Sequence, residues 1–304
     1  MTDTFERFVA TTRARIGPDA LRWLADVQRL IDELTARWEL DLGEPLPGGV
    51  IGYTVGGVRG GAEPVVLKIS YPDGWFAEET AALAHWDGNG AVELIDHDPR
   101  GAQLLERAEP GASLREEPDE DLALGLAADT LARLWIPDPG GITSLASEVT
   151  RWATTMAKRH DEQSRPFERA LVHEAVGLIR DLSPRQHEQV LLHGDLHLGN
   201  VLAAEREPWL VIDPKPLIGE REFDAIALIR DKGEELVADP VGGRARVQHR
   251  FDLLCERLDL ERSRVKGWAV AVAIDYALWD FEVGDPATGE QEIEVARMLR
   301  GLRV

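Results

Sequence analysis

Cysteine is almost missing: Cys255 is the only one in 304 residues. No disulfide framework and no cysteine-rich zinc site can be built from this chain, and an intracellular, cytoplasmic setting fits. No apolar run approaches the ~18 residues of a membrane span, so no membrane partner is expected. The opening MTDTFERFVATTRARIG carries acids and lacks an apolar stretch with a small-residue cleavage site, so no signal peptide is expected. Positive charge is scarce as well. The 34 Lys and Arg residues face 55 Asp and Glu, for a formal net charge of −21. Nucleic acid wants a basic surface and is therefore an unexpected partner. Such a surface can steer a cationic small molecule into an acidic cleft, or it can serve solubility alone. Lysine is scarcest of all: Lys68, Lys158, Lys215, Lys232 and Lys266 are the whole set. Lys68 and Lys215 fall in strand-like or strand-end contexts, where a compact point charge suits a phosphate better than a planar fork. A complete G-x-G-x-x-G is also missing, and no repeat or low-complexity segment is present.

The composition that remains is ordinary for a globular protein, 44% hydrophobic and 29% charged. The length suggests roughly two lobes at about 150 residues each. Residues 4–40 read as helical. After Gly17-Pro18, Leu21, Leu24, Val27, Leu30, Ile31 and Leu34 recur at three- and four-residue steps, and Pro18 suits a helix start. From Leu46 the texture changes to short apolar pieces punctuated by Gly48, Gly49, Gly52, Gly56, Gly57, Gly60 and Gly61. That pattern predicts an antiparallel sheet, whose glycines are either plain hairpin turns or include a turn that covers phosphates. Residues 64–70 read as a strand holding Lys68. This lysine either faces solvent from an edge strand or projects onto phosphates; the second reading requires an acid on the next helix. Residues 75–85 read as that helix. Glu79 is the preferred partner, four before the core-like Leu83, with Glu78 as the alternative.

Strands are expected at 92–95 and 102–106. The second runs into Arg107-Ala108-Glu109-Pro110-Gly111, either a hinge between lobes or a plain loop. The backbone from Glu106 to Ala108 can offer hydrogen bonds to an adenine edge. From Asp119, which can cap a helix, the chain is mostly helical, with further helices at 145–159, 167–182, 223–235, 247–258, 265–282 and 290–302.

Residues 191–223 concentrate the chemistry. A short apolar run, 189–193, enters the loop Gly194-Asp195-Leu196-His197-Leu198-Gly199-Asn200. Asp213 ends a second apolar run, Trp209-Leu210-Val211-Ile212. A loop Asp, a loop Asn and a strand-end Asp can hold magnesium and orient an attacking hydroxyl, which is what phosphoryl transfer needs. Zinc at His193-x-Asp195-x-His197, as in a metal hydrolase, is a remote alternative, because it leaves Lys68, Asn200 and Asp213 without a purpose. A non-catalytic nucleotide-binding protein is another, which the intact set argues against.

The string HGDLHLGN resembles the protein-kinase catalytic loop H-R-D-L-x-x-x-N, with Gly194 in place of the arginine. It is the form used by aminoglycoside phosphotransferases and choline kinases. The longer IDPKPLIGEREFD is similar to the streptomycin 6-kinase and hydroxyurea phosphotransferase branch. The resemblance implies an α+β, bilobal, protein-kinase-like fold. Residues 1–107 would form a small antiparallel-sheet N-lobe, residues 108–304 a larger, mostly helical C-lobe, with ATP at the hinge. It implies that Asp195 accepts or orients the substrate hydroxyl proton, that Asn200 and Asp213 hold Mg2+, and that Lys68, held by Glu79, contacts the α- and β-phosphates. Glu106 and Ala108 would meet the adenine, and His193 would brace the loop. Lys215 has no counterpart in D-F-G; it either touches the γ-phosphate or balances an acid nearby. Asp224 is expected to cap the following helix rather than to touch substrate.

The acceptor in this family lies against C-lobe helices. On 265–282, Trp268, Val272, Asp275, Trp279 and Glu282 share a helical face, with Asp280 and Asp285 close by. Such a stripe suits a guanidinium or ammonium ligand through ion pairs and cation–π contact, or it is simply core plus a solvated face. Asp275 is the first choice for a substrate carboxylate, followed by Trp279, Trp268, Glu220 and Glu222. The implied activity is transfer of the ATP γ-phosphate to a hydroxyl of a small, cationic acceptor. Streptomycin comes first; another sugar, a cyclitol or a hydroxyurea-like acceptor is the alternative.

Overall fold

A glycine–proline boundary separates the first two helices, α1 (Asp3–Ile16) and α2 (Pro18–Arg37). They open a computed structural model that describes residues 3–46 and 52–304. Pro18 occupies the first turn of α2, where its missing N–H costs nothing. The chain divides into two compact units, Met1–Ala112 with Ala203–Ile212, and Ser113–Leu202 with Asp213–Val304. The expected break after residue 107 thus falls at Ala112, and a later piece of chain returns to the first unit.

In the first unit, β1 (Leu40–Pro45), β2 (Gly52–Arg59) and β3 (Glu63–Ser70) lead into α3 (Gly74–Trp86), β4 (Leu94–Asp98) and β5 (Ala102–Glu106). They form a five-stranded antiparallel sheet of order β1-β2-β3-β5-β4. Alternation along β3 sends Val65, Leu67 and Ile69 into a core with Phe5, Phe8, Val27, Leu30, Ile31 and Leu34 of the two helices. Burying each such side chain stabilises the unit by about 1.5–3 kcal/mol. Lys68, one residue out of phase, points to the other face. Leu21, expected on the apolar face of α2, remains exposed. The strand expected at 92–95 begins two residues late, because Ala91 and Val92 pair with Val211 instead.

Beyond β6 (Pro110–Ser113) the chain is mostly helical. Asp119 caps α4 (Glu120–Leu134) through its side chain, which accepts from the Leu122 amide. Helices α5 (Leu145–Glu162) and α6 (Arg169–Leu182) follow. Next come β7 (Val190–Leu192), a 3₁₀ turn at Leu198–Asn200, β8 (Val201–Ala204), β9 (Trp209–Val211) and β10 (Leu217–Gly219). Strand β7 pairs with β10, antiparallel, so the loop between β7 and β8 and the segment after β9 are pinned at a common base. The helix expected at 223–235 is broken into α7 (Arg221–Asp224), α8 (Ile226–Arg230) and α9 (Gly233–Ala238). The break places Lys232 at φ 55°, in the left-handed region, and frees Asp231 to bond elsewhere. Helices α10 (Pro240–Leu258), α11 (Arg262–Glu282) and α12 (Pro286–Arg300) complete the unit. The expected α+β architecture, a small antiparallel sheet first and a larger helical part after it, is the one found.

Candidate active site

On β3 the strand alternation leaves Lys68 opposite Thr54 and Gln103 on the neighbouring strands. Its Nζ donates to Glu79 Oε1 on α3 at 2.6 Å. Both side chains are nearly enclosed, 11% and 9% exposed. Helix α3 is set by its N-cap: the Asp73 carboxylate accepts from the Phe76 amide. The pairing falls on Glu79 rather than Glu78 because Glu79, with Thr80, Ala82 and Leu83, lies on the buried face. Of the glycines thought able to cover phosphates, Gly48 and Gly49 lie outside the described residues. Gly60 and Gly61 turn the hairpin between β2 and β3.

The Glu106 side chain and amide are engaged within the first unit. Arg206 grips its carboxylate with two bonds, Nε to Oε1 at 2.9 Å and Nη2 to Oε2 at 2.8 Å. The Glu106 amide donates to Glu93 O, so that donor is spent inside the sheet. Among the described residues the Ala108 amide makes no hydrogen bond, which leaves it as the donor able to meet an adenine edge. Arg206 also donates to Gly88 O and Ala91 O and clamps three segments of the first unit. A lone arginine in a short turn gave no sequence signal of this.

In the second unit the loop after β7 is held by carboxylates behind it. Asp224 accepts from the His193 amide at 3.0 Å, the Gly194 amide at 2.7 Å and Trp135 Nε1 at 2.9 Å. This is a different structural role from the helix cap expected of it. Burial pushes the Asp224 carboxyl up to about 6 despite these donors. Asp231 accepts from the Leu198 amide at 3.0 Å. His193 Nδ1 accepts from the Asp195 amide, and His197 Nδ1 from the Gly199 amide, so both histidines serve the loop. Gly194 explains the departure from H-R-D. It sits at φ 79°, and a Cβ there would lie 2.0 Å from Lys215 O. The Lys215 amide also bonds His193 O at 2.8 Å, which locks the two segments together.

Within this frame Asp195 O accepts from Asn200 Nδ2 at 3.0 Å, so the Asn200 carbonyl oxygen is the atom left for a ligand. Asp213, at φ 55°, pairs through Oδ2 with Lys215 Nζ at 3.0 Å. Lys215 thus balances the acid two residues before it. Burial raises the Asp195 carboxyl, and Asp213 adds to the rise; His197, Lys215 and Arg230 oppose it. A carboxylate moved toward neutrality is a better proton acceptor at neutral pH. Asn200 and Asp213 offer hard oxygen donors, few in number. That fits magnesium, which keeps waters and takes phosphate oxygens beside one or two protein carboxylates. Among the described residues no three histidine, cysteine or carboxylate side chains converge as metal ligands.

The expected substrate stripe on α11 splits apart. Trp268 and Glu220 are fully enclosed, bonded to each other, and Arg264 closes on Glu220 at 2.7 and 2.8 Å. They form a structural network and are corrected as acceptor contacts on that ground. Asp275 is buried and tied to Arg159 Nη1 at 2.5 Å, while Arg159 Nε takes Glu282 at 2.7 Å. Burial raises Asp275 even so. It is an occupied carboxylate rather than a waiting one. Glu222 is also buried and accepts from the Glu261 amide. Asp285 caps α12. Trp279 alone of the four first choices keeps an open surface, 44% exposed. Sequence reasoning missed Arg159 and Arg264, whose partners lie more than forty positions away. It also missed Arg230 of α8, which pairs with Glu292 at 2.5 Å and lies over the Tyr276 ring at 4.2 Å.

Comparison with known proteins agrees with this geometry. Residues 50–284 match the family described as aminoglycoside/hydroxyurea antibiotic resistance kinase. The chain is 35% identical over 302 residues to a streptomycin 6-kinase of Streptomyces glaucescens, covering 97% of this chain and 96% of that one. It is 35% identical over 277 residues to a hydroxyurea phosphotransferase of Kitasatospora aureofaciens, covering 89% and 78%. Among solved structures it resembles a thermostable mutant of an aminoglycoside phosphotransferase in ternary complex with ADP and hygromycin B. The TM-score is 0.59 at 17% identity, covering 88% of this chain and 97% of that one, and this shows the fold.

Proposed function

From the premise that the chain belongs to the aminoglycoside/hydroxyurea antibiotic resistance kinase family, we propose that it transfers the γ-phosphate of ATP to a hydroxyl of an aminoglycoside-type acceptor, with the 6-hydroxyl of streptomycin as the first candidate. The observation that carries the chemistry is Asp195: a carboxylate raised by burial, in a loop whose amides Asp224 and Asp231 hold from behind. In the reaction the acceptor oxygen forms a bond to the γ-phosphorus while the bond from that phosphorus to the bridging oxygen breaks. ADP leaves, and the hydroxyl proton passes to Asp195. General-base action of this kind contributes about 10²–10⁴-fold. Lys68, steadied by Glu79, neutralises α- and β-phosphate oxygens, and the Ala108 amide meets the purine edge. Asn200 Oδ1 and Asp213 are the oxygens that would hold Mg2+, which would supply positive charge to offset that of the phosphates.

A second reading, a neutral hydroxyurea-like acceptor, is favoured by the relative named for that activity. Coupled ADP-release assays over streptomycin, other aminoglycosides, sugars and hydroxyurea separate the two, with product mass confirming one added phosphate. Streptomycin-dependent turnover supports the first reading. Turnover on hydroxyurea with none on streptomycin overturns it.

A further inference from the structure

Helices α8, α11 and α12 gather a set of charges that do not balance. Arg230 is the guanidinium that acts on this set. Glu292 Oε1 takes it at 2.5 Å, but Glu292 Oε2 is buried with no hydrogen-bond partner. Glu292 as a residue is only 8% exposed and Asp280 only 7%. Among the described residues the Asp280 side chain makes no hydrogen bond and no ion pair, although it lies within electrostatic reach of Glu292 and Arg230. Tyr276, one helical turn before Asp280 on α11, stacks under Arg230 and brings no positive charge. Asp285, the remaining neighbour of Asp280, is spent on capping α12. Asp195 faces the same Arg230 and Tyr276. Asp195 has His197 and Lys215 beside it as well, so the imbalance falls on Glu292 and Asp280, which have Arg230 between them. A buried acid without a partner is costly and calls for a counterion or a proton.

We propose that Asp280 and Glu292 form the seat for a cationic group of the acceptor, a guanidinium or an ammonium, beside the Arg230 that also acts on Asp195. This rests on the reading above and deepens it. The acceptor is a cation, which separates streptomycin, with its guanidinium groups, from uncharged hydroxyurea. Glu292 lies past residue 284, where the family match ends, so the seat includes a residue outside that match. Burial and the Glu292 charge push the Asp280 carboxyl up to about 7, against the pull of Arg230. An empty seat therefore holds a proton near neutral pH, and an arriving cation displaces it. Affinity for the cation rises with pH through about 7 and falls about tenfold per unit on the acid side.

The test uses Asp280→Asn and Glu292→Gln in the full chain. Asp280→Asn removes a buried carboxyl that has no hydrogen-bond partner among the described residues, so it should melt no lower than wild type at pH 7 and above. Both variants should raise the streptomycin KM roughly tenfold or more, the loss of one charge-assisted contact, and leave the KM for ATP within about twofold. Streptomycin binding by calorimetry at pH 6.5, in two buffers of different ionisation heat, should show proton release from wild type and none from Asp280→Asn. Agmatine, a small guanidinium–ammonium dication, should raise the wild-type melting temperature and leave that of Asp280→Asn unchanged. The agmatine arm judges the seat whichever acceptor the enzyme phosphorylates, so a failed streptomycin assay sinks only the acceptor reading. Streptomycin binding by Asp280→Asn within about twofold of wild type, or an agmatine effect absent from wild type, overturns the seat.

Discussion

Substituting Asp224 by Asn separates what this carboxylate does for stability from what it does for activity. Its two oxygens accept three N–H groups, those of His193, Gly194 and Trp135. An amide in its place has one acceptor oxygen and turns an NH2 toward a donor. The structure puts two of the bonds on Oδ2 and one, from Gly194, on Oδ1, so at least the Gly194 amide loses its partner. A buried amide without an acceptor costs about 1–3 kcal/mol. Against this stands the cost of the wild-type charge. Its carboxyl sits at about 6 rather than the ordinary 3.8. At about 1.4 kcal/mol per pH unit, an ionised Asp224 burdens the fold by about 3 kcal/mol at neutral pH.

The sign follows from proton counting. Between the unfolded pKa and about 6 the native state binds more protons than the unfolded state, so this group's contribution to stability is full below 3.8 and is lost as pH rises to about 6. Asp224→Asn lacks that slope. It should be less stable than wild type at pH 4 and comparable at pH 7. Its kcat at pH 7 should nonetheless fall about a hundredfold, because the loop that carries Asp195 is no longer held at Gly194. Denaturant melts across pH 4–7, with steady-state kinetics at pH 7, make the check. Parallel stability curves for the two proteins, or a kcat within about threefold of wild type, would refute the reasoning.

Glu79→Gln breaks an ion pair whose members are 11% and 9% exposed, and leaves Lys68 charged and enclosed. Stability should drop by about 3–5 kcal/mol and the KM for ATP should rise, read by urea melts and nucleotide titration; no change in either removes Lys68 from the nucleotide's company. Asp195→Asn should lower kcat by about 10²–10⁴-fold with the acceptor KM little changed. In wild type, kcat/KM should rise with pH, since a base must be ionised, and the acid limb should lie above 3.8 because burial raises this carboxyl; a limb at or below that value speaks against Asp195 as the base. Gly194→Ala puts a Cβ 2.0 Å from Lys215 O at φ 79°, so wild-type turnover by that variant would contradict the described loop.

How much of this was legible in the sequence depended on how far apart the interacting residues lie. Lys68 and Glu79 sit eleven positions apart on consecutive elements, and strand alternation plus helix phase was enough to pair them. Asp195, Asn200 and Asp213 lie in one short stretch with a recognisable spacing. The substrate stripe failed because helical phase says which residues share a face and is silent about what that face meets. Trp268 and Asp275 do share α11 with Trp279, but Glu220 and Arg264 enclose the first, and Arg159 of α5 takes the second. Those partners come from elements distant in sequence, and an arginine-rich chain gives no sign of which arginine goes where. The broken helix at 223–235 failed for a related reason. Its apolar pattern is continuous, yet the chain breaks so that Asp224 and Asp231 can reach back to amides about thirty residues earlier. The loop's demand for carboxylates behind it overrides the local helical preference. The same pressure acts at position 194, where the approach of Lys215 O leaves no room for any side chain. The glycine that replaces the kinase arginine is therefore a geometric consequence of pinning the loop to the segment after Asp213, and its chemistry is that of Asp195 held still.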